Sequence, residues 1–136
     1  MKLVDTNILA YLLIEGDRNA EAVRLQKFDP IWHSEEFILT EFSNVLASCI
    51  RSHALTMNKA QNTLQQAQAL IGDNLHRMDH RNVLQIAHQF GVSAYDARYL
   101  ALAQELAIPL VTEDSRLRRA APKLTQSLEE ALSDFA

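Results

Sequence analysis

With 136 residues, 48% of them hydrophobic and 22% charged, and only 3 Gly and 3 Pro, the chain reads as one helix-rich domain over residues 1–136, without long flexible linkers. Its formal charge, 13 minus 17 or -4, excludes a general nucleic-acid-coating protein that binds by neutralising phosphates, but leaves open an enzyme whose acids are committed to cations. The single Cys49 excludes an intramolecular disulfide framework, suits a reducing cytosol, and sits on an apolar helical stripe, which favours a buried structural thiol over a nucleophile.

Lys2 ahead of the apolar stretch Ile8–Ile14 imitates a signal peptide, but Asp5 and Asn7 interrupt it, so the segment is read as part of the mature fold. Nothing approaches the roughly 20 apolar residues of a membrane span. Lys2 to Val4 predicts a short buried strand, and Asn7 to Ile14 a helix ended by Glu15-Gly16-Asp17. Arg18 to Lys27 makes a second helix, with Ala22, Val23 and Phe28 as its inner face, and Pro30 stops it. Ile31 to His33 predicts a strand, and Ser34 an N-cap, with Glu35 and Glu36 at the positive end of a long helix running to Arg51.

Along that helix Ile38, Phe42, Val45, Leu46, Cys49 and Ile50 define the buried face, with Glu41 on its shoulder. Asn58 to Ile71, with Ala60, Leu64, Ala67 and Ile71 in one stripe, completes a helical hairpin that Gly72 stops. Leu75 to Met78 predicts a strand, and Arg81 to Phe90 a helix closed by Gly91. In the next helix, Ser93 to Leu106, Asp96 falls in register with Leu100, Ala103 and Ala107 on the apolar face, while Arg98 and Glu105 point away. Ile108 to Val111 is a strand, and Thr112-Glu113-Asp114-Ser115 opens a short helix, Arg116 to Ala121, that Pro122 ends. Lys123 to Gln126 predicts a weakly written edge strand, and the pair Ser127 and Glu130 a capping box for a last helix to Phe135. Strands separated by helices imply an α/β fold, a central parallel sheet with helices on both faces.

Four acids stand out: Asp5 and Asp114 at strand ends, Glu41 on a helix shoulder, and Asp96 on a helix core face. Each also has a structural reading. Asp5 and Asp114 can cap helices, Asp96 can pair with Ser93 in a box-like start, and Glu41 can simply be solvated. As a set they can converge at the carboxyl edge of one parallel sheet, where ligands of open α/β sheets bind. Two carboxylates about 4 Å apart repel by roughly 4 kcal/mol at an effective dielectric of 20, a cost that hard divalent cations remove. Oxygen-only ligands suit Mg²⁺ or Mn²⁺, and such ions activate water and stabilise both oxygens of a phosphodiester displacement.

The motifs V-D-T-N at 4–7, L-T-E-F-S-N-V-L at 39–46, S-A-Y-D-A-R at 93–98 and V-T-E-D at 111–114 make the chain resemble, over essentially its whole length, the PIN-domain ribonucleases, particularly the small bacterial toxins of VapC type. The resemblance implies a three-layer sandwich around a parallel sheet. It implies that Asp5, Glu41, Asp96 and Asp114 are a catalytic, metal-binding quartet, with Thr6, Asn7 and Thr112 orienting the acids or the water. It implies Mg²⁺- or Mn²⁺-dependent endonucleolytic cleavage of RNA (tRNA, rRNA or mRNA), leaving a 5′-phosphate and a 3′-hydroxyl. It further implies a small antitoxin partner of VapB type, a homodimer and a cytoplasmic location.

Arg116, Arg118, Arg119 and Lys123 form a basic cluster behind Asp114, either a solvated helix end or a patch that guides RNA phosphates. Glu113 has no assigned role. Tyr95 and Tyr99 suit core or rim packing, with base stacking as the other reading. His76 and His80 have metal-ligand spacing only if a boundary moves, and lack further zinc ligands. The rival function is a non-catalytic PIN-like module that binds protein or RNA. A phosphoacceptor signalling domain, the third class, requires a central-strand Asp and a late strand-end Lys that the sequence lacks.

Overall fold

The computed structural model describes residues 1–135. Its elements are β1 (Lys2–Val4), α1 (Thr6–Leu13), α2 (Asn19–Phe28), β2 (Trp32–Glu35), α3 (Phe37–Arg51) and α4 (Met57–Ile71), then, after a 3₁₀ turn at Gly72–Asn74, β3 (Leu75–His76), α5 (His80–Phe90), α6 (Ala94–Leu106), β4 (Leu110–Val111), α7 (Ser115–Ala120), β5 (Thr125–Gln126) and α8 (Leu128–Ser133). The five strands form one parallel sheet in the order β3-β2-β1-β4-β5. Helices cover both faces, as the α/β reading requires: α6 lies across β2 and β4 with α5 against it, while α1 packs with α2, α3 and α4.

The strands are short, so burial rather than length holds the sheet: Leu3, Val4, Trp32, Leu110 and Val111 are all fully buried. From β1 the chain builds outward to β2 and β3, then returns to the other side of β1 for β4 and β5. The strand order therefore reverses between β1 and β4, and a crevice opens there beyond the carboxyl ends of the strands. Asp5 follows β1 and Asp114 follows β4, so the topology alone puts two of the four acids at that crevice.

Several helix ends are built as the sequence predicts. Gly91 takes the left-handed conformation at the end of α5 (φ 67°), and Ser127 and Glu130 form the reciprocal capping box. Other boundaries differ. Ser34 does not cap α3; it lies inside β2, and its hydroxyl donates to the Val4 carbonyl across the sheet. Glu35 is likewise a strand residue, completely buried rather than displayed at a helix end. Gly72 does end α4, as expected, but in a right-handed conformation (φ -57°) that leads into the 3₁₀ turn. On α2 the inner positions are Ala22 and Leu25; Phe28 is exposed and stacks on Phe135. Cys49 is half-buried rather than enclosed.

Candidate active site

The crevice is a cleft of about 480 Å³ whose walls include Asp5, Glu41, Asp96 and Asp114, together with Thr6, Asn7, Asn44, Phe37, Tyr95 and Tyr99. Its four acids come from four separate segments of the chain. Two of their structural readings are correct and at the same time position them. Asp5 caps α1, its Oδ1 accepting from the Ile8 amide at 3.3 Å. Asp114 caps α7, its Oδ1 accepting from the amides of Arg116 (3.0 Å) and Leu117 (3.2 Å). A cap of this kind engages one carboxylate oxygen and fixes the rotamer.

Glu41 is held by side chains instead. Its Oε1 accepts from the Thr6 hydroxyl at 2.8 Å and from the Tyr99 hydroxyl, and those two hydroxyls are themselves 3.0 Å apart. Tyr99 is a core ring, 2% exposed, with its polar end at the floor of the cleft. Burial, followed by the hydrogen bond to Glu41, raises its phenol pKa and keeps it a donor. Asp96 sits in the first turn of α6, where the Ser93 hydroxyl accepts from the Asp96 amide at 3.1 Å, as at an ordinary N-cap.

The electrostatics mark this as one site. Burial raises the Asp5 pKa from 3.8 to about 6; the Thr112 hydroxyl and the Ile8 amide oppose that rise, and the charges of Glu41 and Asp96 add to it. Asp96 is also raised, by burial first and then by Asp114 and Glu41, with the Ser93 side chain and then Arg116 pulling the other way. Thr112, completely buried, lies beside two of the acids: its hydroxyl oxygen accepts from the Asp114 amide at 3.1 Å, and its side chain favours the ionised form of Asp5. Asn7 is exposed on the wall of the cleft. Among the described residues no group of three or more acids, imidazoles or thiols is closed around a common point, so the four acids surround the cleft rather than meet in it.

Of the basic cluster, only Arg116 stands beside the acids. Arg118 turns the other way, donating to the Thr112 carbonyl (2.9 Å) and to Glu113 (3.0 Å), and Glu113 also pairs with Arg18. Glu113 thus ties α7 to the start of α2, outside the cleft. Arg119 is exposed, and Lys123 lies beside Ile108 and Pro109, at the opposite edge of the sheet. His76 pairs through Nε2 with Nδ1 of His33 (2.8 Å) rather than with His80.

Two features of the site escape the sequence reading. Arg98, expected to point away, donates to Glu35 at 3.1 Å, and the carboxylate it meets is fully buried. Phe37 and Tyr95 stack at the mouth of the cleft, with ring centroids 5.4 Å apart. Neither pairing leaves a periodic signal, because each joins residues about sixty positions apart.

An acid-walled cleft at the switch point of a short parallel sheet is the architecture of a known family, and the chain belongs to it: the PIN domain model matches residues 2–123. Ribonuclease VapC3 of Pyrobaculum aerophilum is 30% identical over 129 residues, spanning 91% of this chain and 98% of that protein. Solved structures share the fold. PAE2754 of Pyrobaculum aerophilum superposes with a TM-score of 0.74 at 21% identity, covering 98% of this chain and 94% of that one. A toxin-antitoxin complex from Klebsiella pneumoniae does so with 0.67 at 22% identity (93% and 97% covered), and FitAcB from Neisseria gonorrhoeae with 0.64 at 18% (93% and 96%).

Proposed function

We propose that the chain is a divalent-metal-dependent endoribonuclease, the toxin of a toxin-antitoxin pair. The observation that carries this reading is the gathering of Asp5, Glu41, Asp96 and Asp114 around one cleft, with burial and mutual repulsion raising the pKa of two of them. Such a cluster opposes folding unless a cation or protons neutralise it. The donor set fits Mg²⁺ or Mn²⁺, since the wall offers carboxylate, hydroxyl and amide oxygens and neither imidazole nor thiolate. Mg²⁺ keeps several waters and needs only one or two direct carboxylates, which suits acids that surround a cleft. When bound, the cation supplies charge neutralisation and Lewis acidity towards water and phosphate oxygens.

The chain's own groups have separable roles. The two caps hold Asp5 and Asp114 by Oδ1, and Thr112 lies beside both. Thr6 and Tyr99 hold Glu41 by Oε1 in the same manner. Asp96, held at the start of α6 beside Ser93, completes the set. Arg116, beside Asp96 and Asp114, offers a guanidinium to meet the substrate's charge. The ribonuclease relative supports RNA as the substrate, and the toxin-antitoxin fold neighbour supports a small antitoxin, of VapB type in this reading, as the partner. The reading further takes the chain to act in the cytoplasm as a homodimer.

The test is incubation of the purified chain with single-stranded RNA in Mn²⁺, Mg²⁺ or EDTA. Internal cuts bearing 5′-phosphates, abolished by EDTA and restored by added metal, are expected. Cleavage that persists in EDTA rejects the metal dependence, and absence of cleavage from antitoxin-free protein favours the non-catalytic binding module.

A further inference from the structure

We infer that Tyr95 and Phe37 form a stacking shelf for one nucleobase of single-stranded RNA, at the rim of the acid cleft. The inference rests on the nuclease reading and names a part of its substrate site. On α6, Tyr95 and Tyr99 are one turn apart and share a face. Tyr99 lies deep, with its hydroxyl engaged by Glu41 and Thr6. Tyr95, one turn nearer the helix start, is 61% exposed, and among the described residues its hydroxyl has no hydrogen-bond partner.

An exposed tyrosine is ordinary on a protein surface. This one is held. Its ring stacks on Phe37 at 5.4 Å between centroids and 18° between planes, and the Arg98 guanidinium lies over the Phe37 ring at 5.3 Å. Both anchors trace to one buried carboxylate: Glu35 accepts from the Phe37 amide through Oε2 at 2.8 Å and from Arg98 through Oε1 at 3.1 Å. Glu35 has no exposure at all, so the shelf is fixed from beneath before any ligand arrives. A rigid ring loses little freedom on binding.

Both rings line the same cleft as the four acids. A planar, π-rich group joined to a phosphodiester satisfies both features at once, and a nucleotide is such a group. Stacking of this kind accepts any base, because every base has a π-face. The shelf therefore supplies affinity and register rather than base identity, holding one nucleotide beside the bond to be cut.

The test is an abasic scan. A fluorescent oligoribonucleotide that the wild type cleaves, and versions with a single abasic residue at each position around the cut, are assayed for kcat/KM and, by anisotropy, for binding. The proteins are wild type, Tyr95→Ala, Tyr95→Phe and Tyr95→Trp. Tyr95→Ala should lose roughly ten- to a hundredfold on intact RNA, while Phe and Trp stay close to wild type. With one abasic position the wild type should fall to the level of Tyr95→Ala, and the two should no longer differ. Equal activity and binding of Tyr95→Ala and wild type on intact RNA overturns the shelf, as does an equal loss on every abasic oligonucleotide. Unchanged RNA behaviour with weakened binding of the antitoxin assigns the rings to a protein contact instead, and also overturns it. If the wild type cuts no RNA, the nuclease reading fails separately, and anisotropy on intact RNA still decides the shelf.

Discussion

Replacing Asp5 by Asn should stabilise the metal-free protein while destroying its activity. Asp5 is 8% exposed and its pKa is raised from 3.8 to about 6, with burial as the main cause. A carboxyl whose native pKa lies above its unfolded value binds more protons in the native state through that interval, so stability falls as pH rises from about 4 to about 6 and stays low beyond. At about 1.4 kcal/mol per tenfold change in proton affinity, the ionised group costs the fold about 3 kcal/mol at pH 8 and only about 0.5 kcal/mol at pH 4. Asn removes the charge and still caps α1, since Asn and Asp are nearly equivalent at that position. Urea unfolding of wild type and Asp5→Asn in EDTA, at pH 4 and pH 8, measures the difference. Asp5→Asn should be more stable by about 3 kcal/mol at pH 8, about 10 °C in Tm for a domain of this size. Excess Mn²⁺ should then stabilise the wild type more than the variant, because only the native wild type offers the full set of ligands. The same ΔΔG at both pH values, or a destabilised variant at pH 8, refutes the burial and repulsion assigned to this acid.

Tyr99→Phe removes one of the two hydroxyls that hold Glu41 Oε1 and should cost about 1 kcal/mol of stability while lowering kcat; wild-type kcat would show that Thr6 alone suffices. Arg98→Met leaves the completely buried Glu35 carboxylate without its cation and should destabilise the fold by about 3–5 kcal/mol; denaturation midpoints within error of wild type would contradict that pairing. Ala107 ends α6 in the left-handed region (φ 56°), so Ala107→Gly should raise stability by about 0.5–1 kcal/mol without touching the cleft, and a lower melting temperature would speak against strain there.

What the sequence exposes and what it hides divide along local and distant interactions. Asp5 and Asp114 are visible because a strand handing over to a helix is a local event, and the cap that each forms is written in the next three residues. The parallel sheet follows from the alternation of apolar runs and amphipathic segments. Ser34-Glu35-Glu36 imitates a helix start, yet Ser34 bonds the neighbouring strand and Glu35 is claimed by Arg98, 63 residues away. Arg98 looks solvated on a helical wheel because the wheel cannot show β2 arriving beneath it. Glu113 gains its role only when α2 brings Arg18 within reach, and the basic cluster divides because α7 turns Arg118 towards that pair while Lys123 belongs to the far edge of the sheet. The Phe37–Tyr95 stack is invisible for the same reason: two aromatic residues in separate helices have no sequence pattern in common.

The four-acid cleft is tested most directly by one comparison, RNA cleavage by wild type and Asp96→Asn in Mn²⁺ at matched concentrations of folded protein. Asp96 lines the cleft, and among the described residues its carboxylate makes no ion pair, so the Asn variant, which can still bond the Ser93 hydroxyl, should fold normally. Cutting by the wild type with a loss of at least a hundredfold in Asp96→Asn is the expected result. Equal cutting by both contradicts a nuclease site built from these acids.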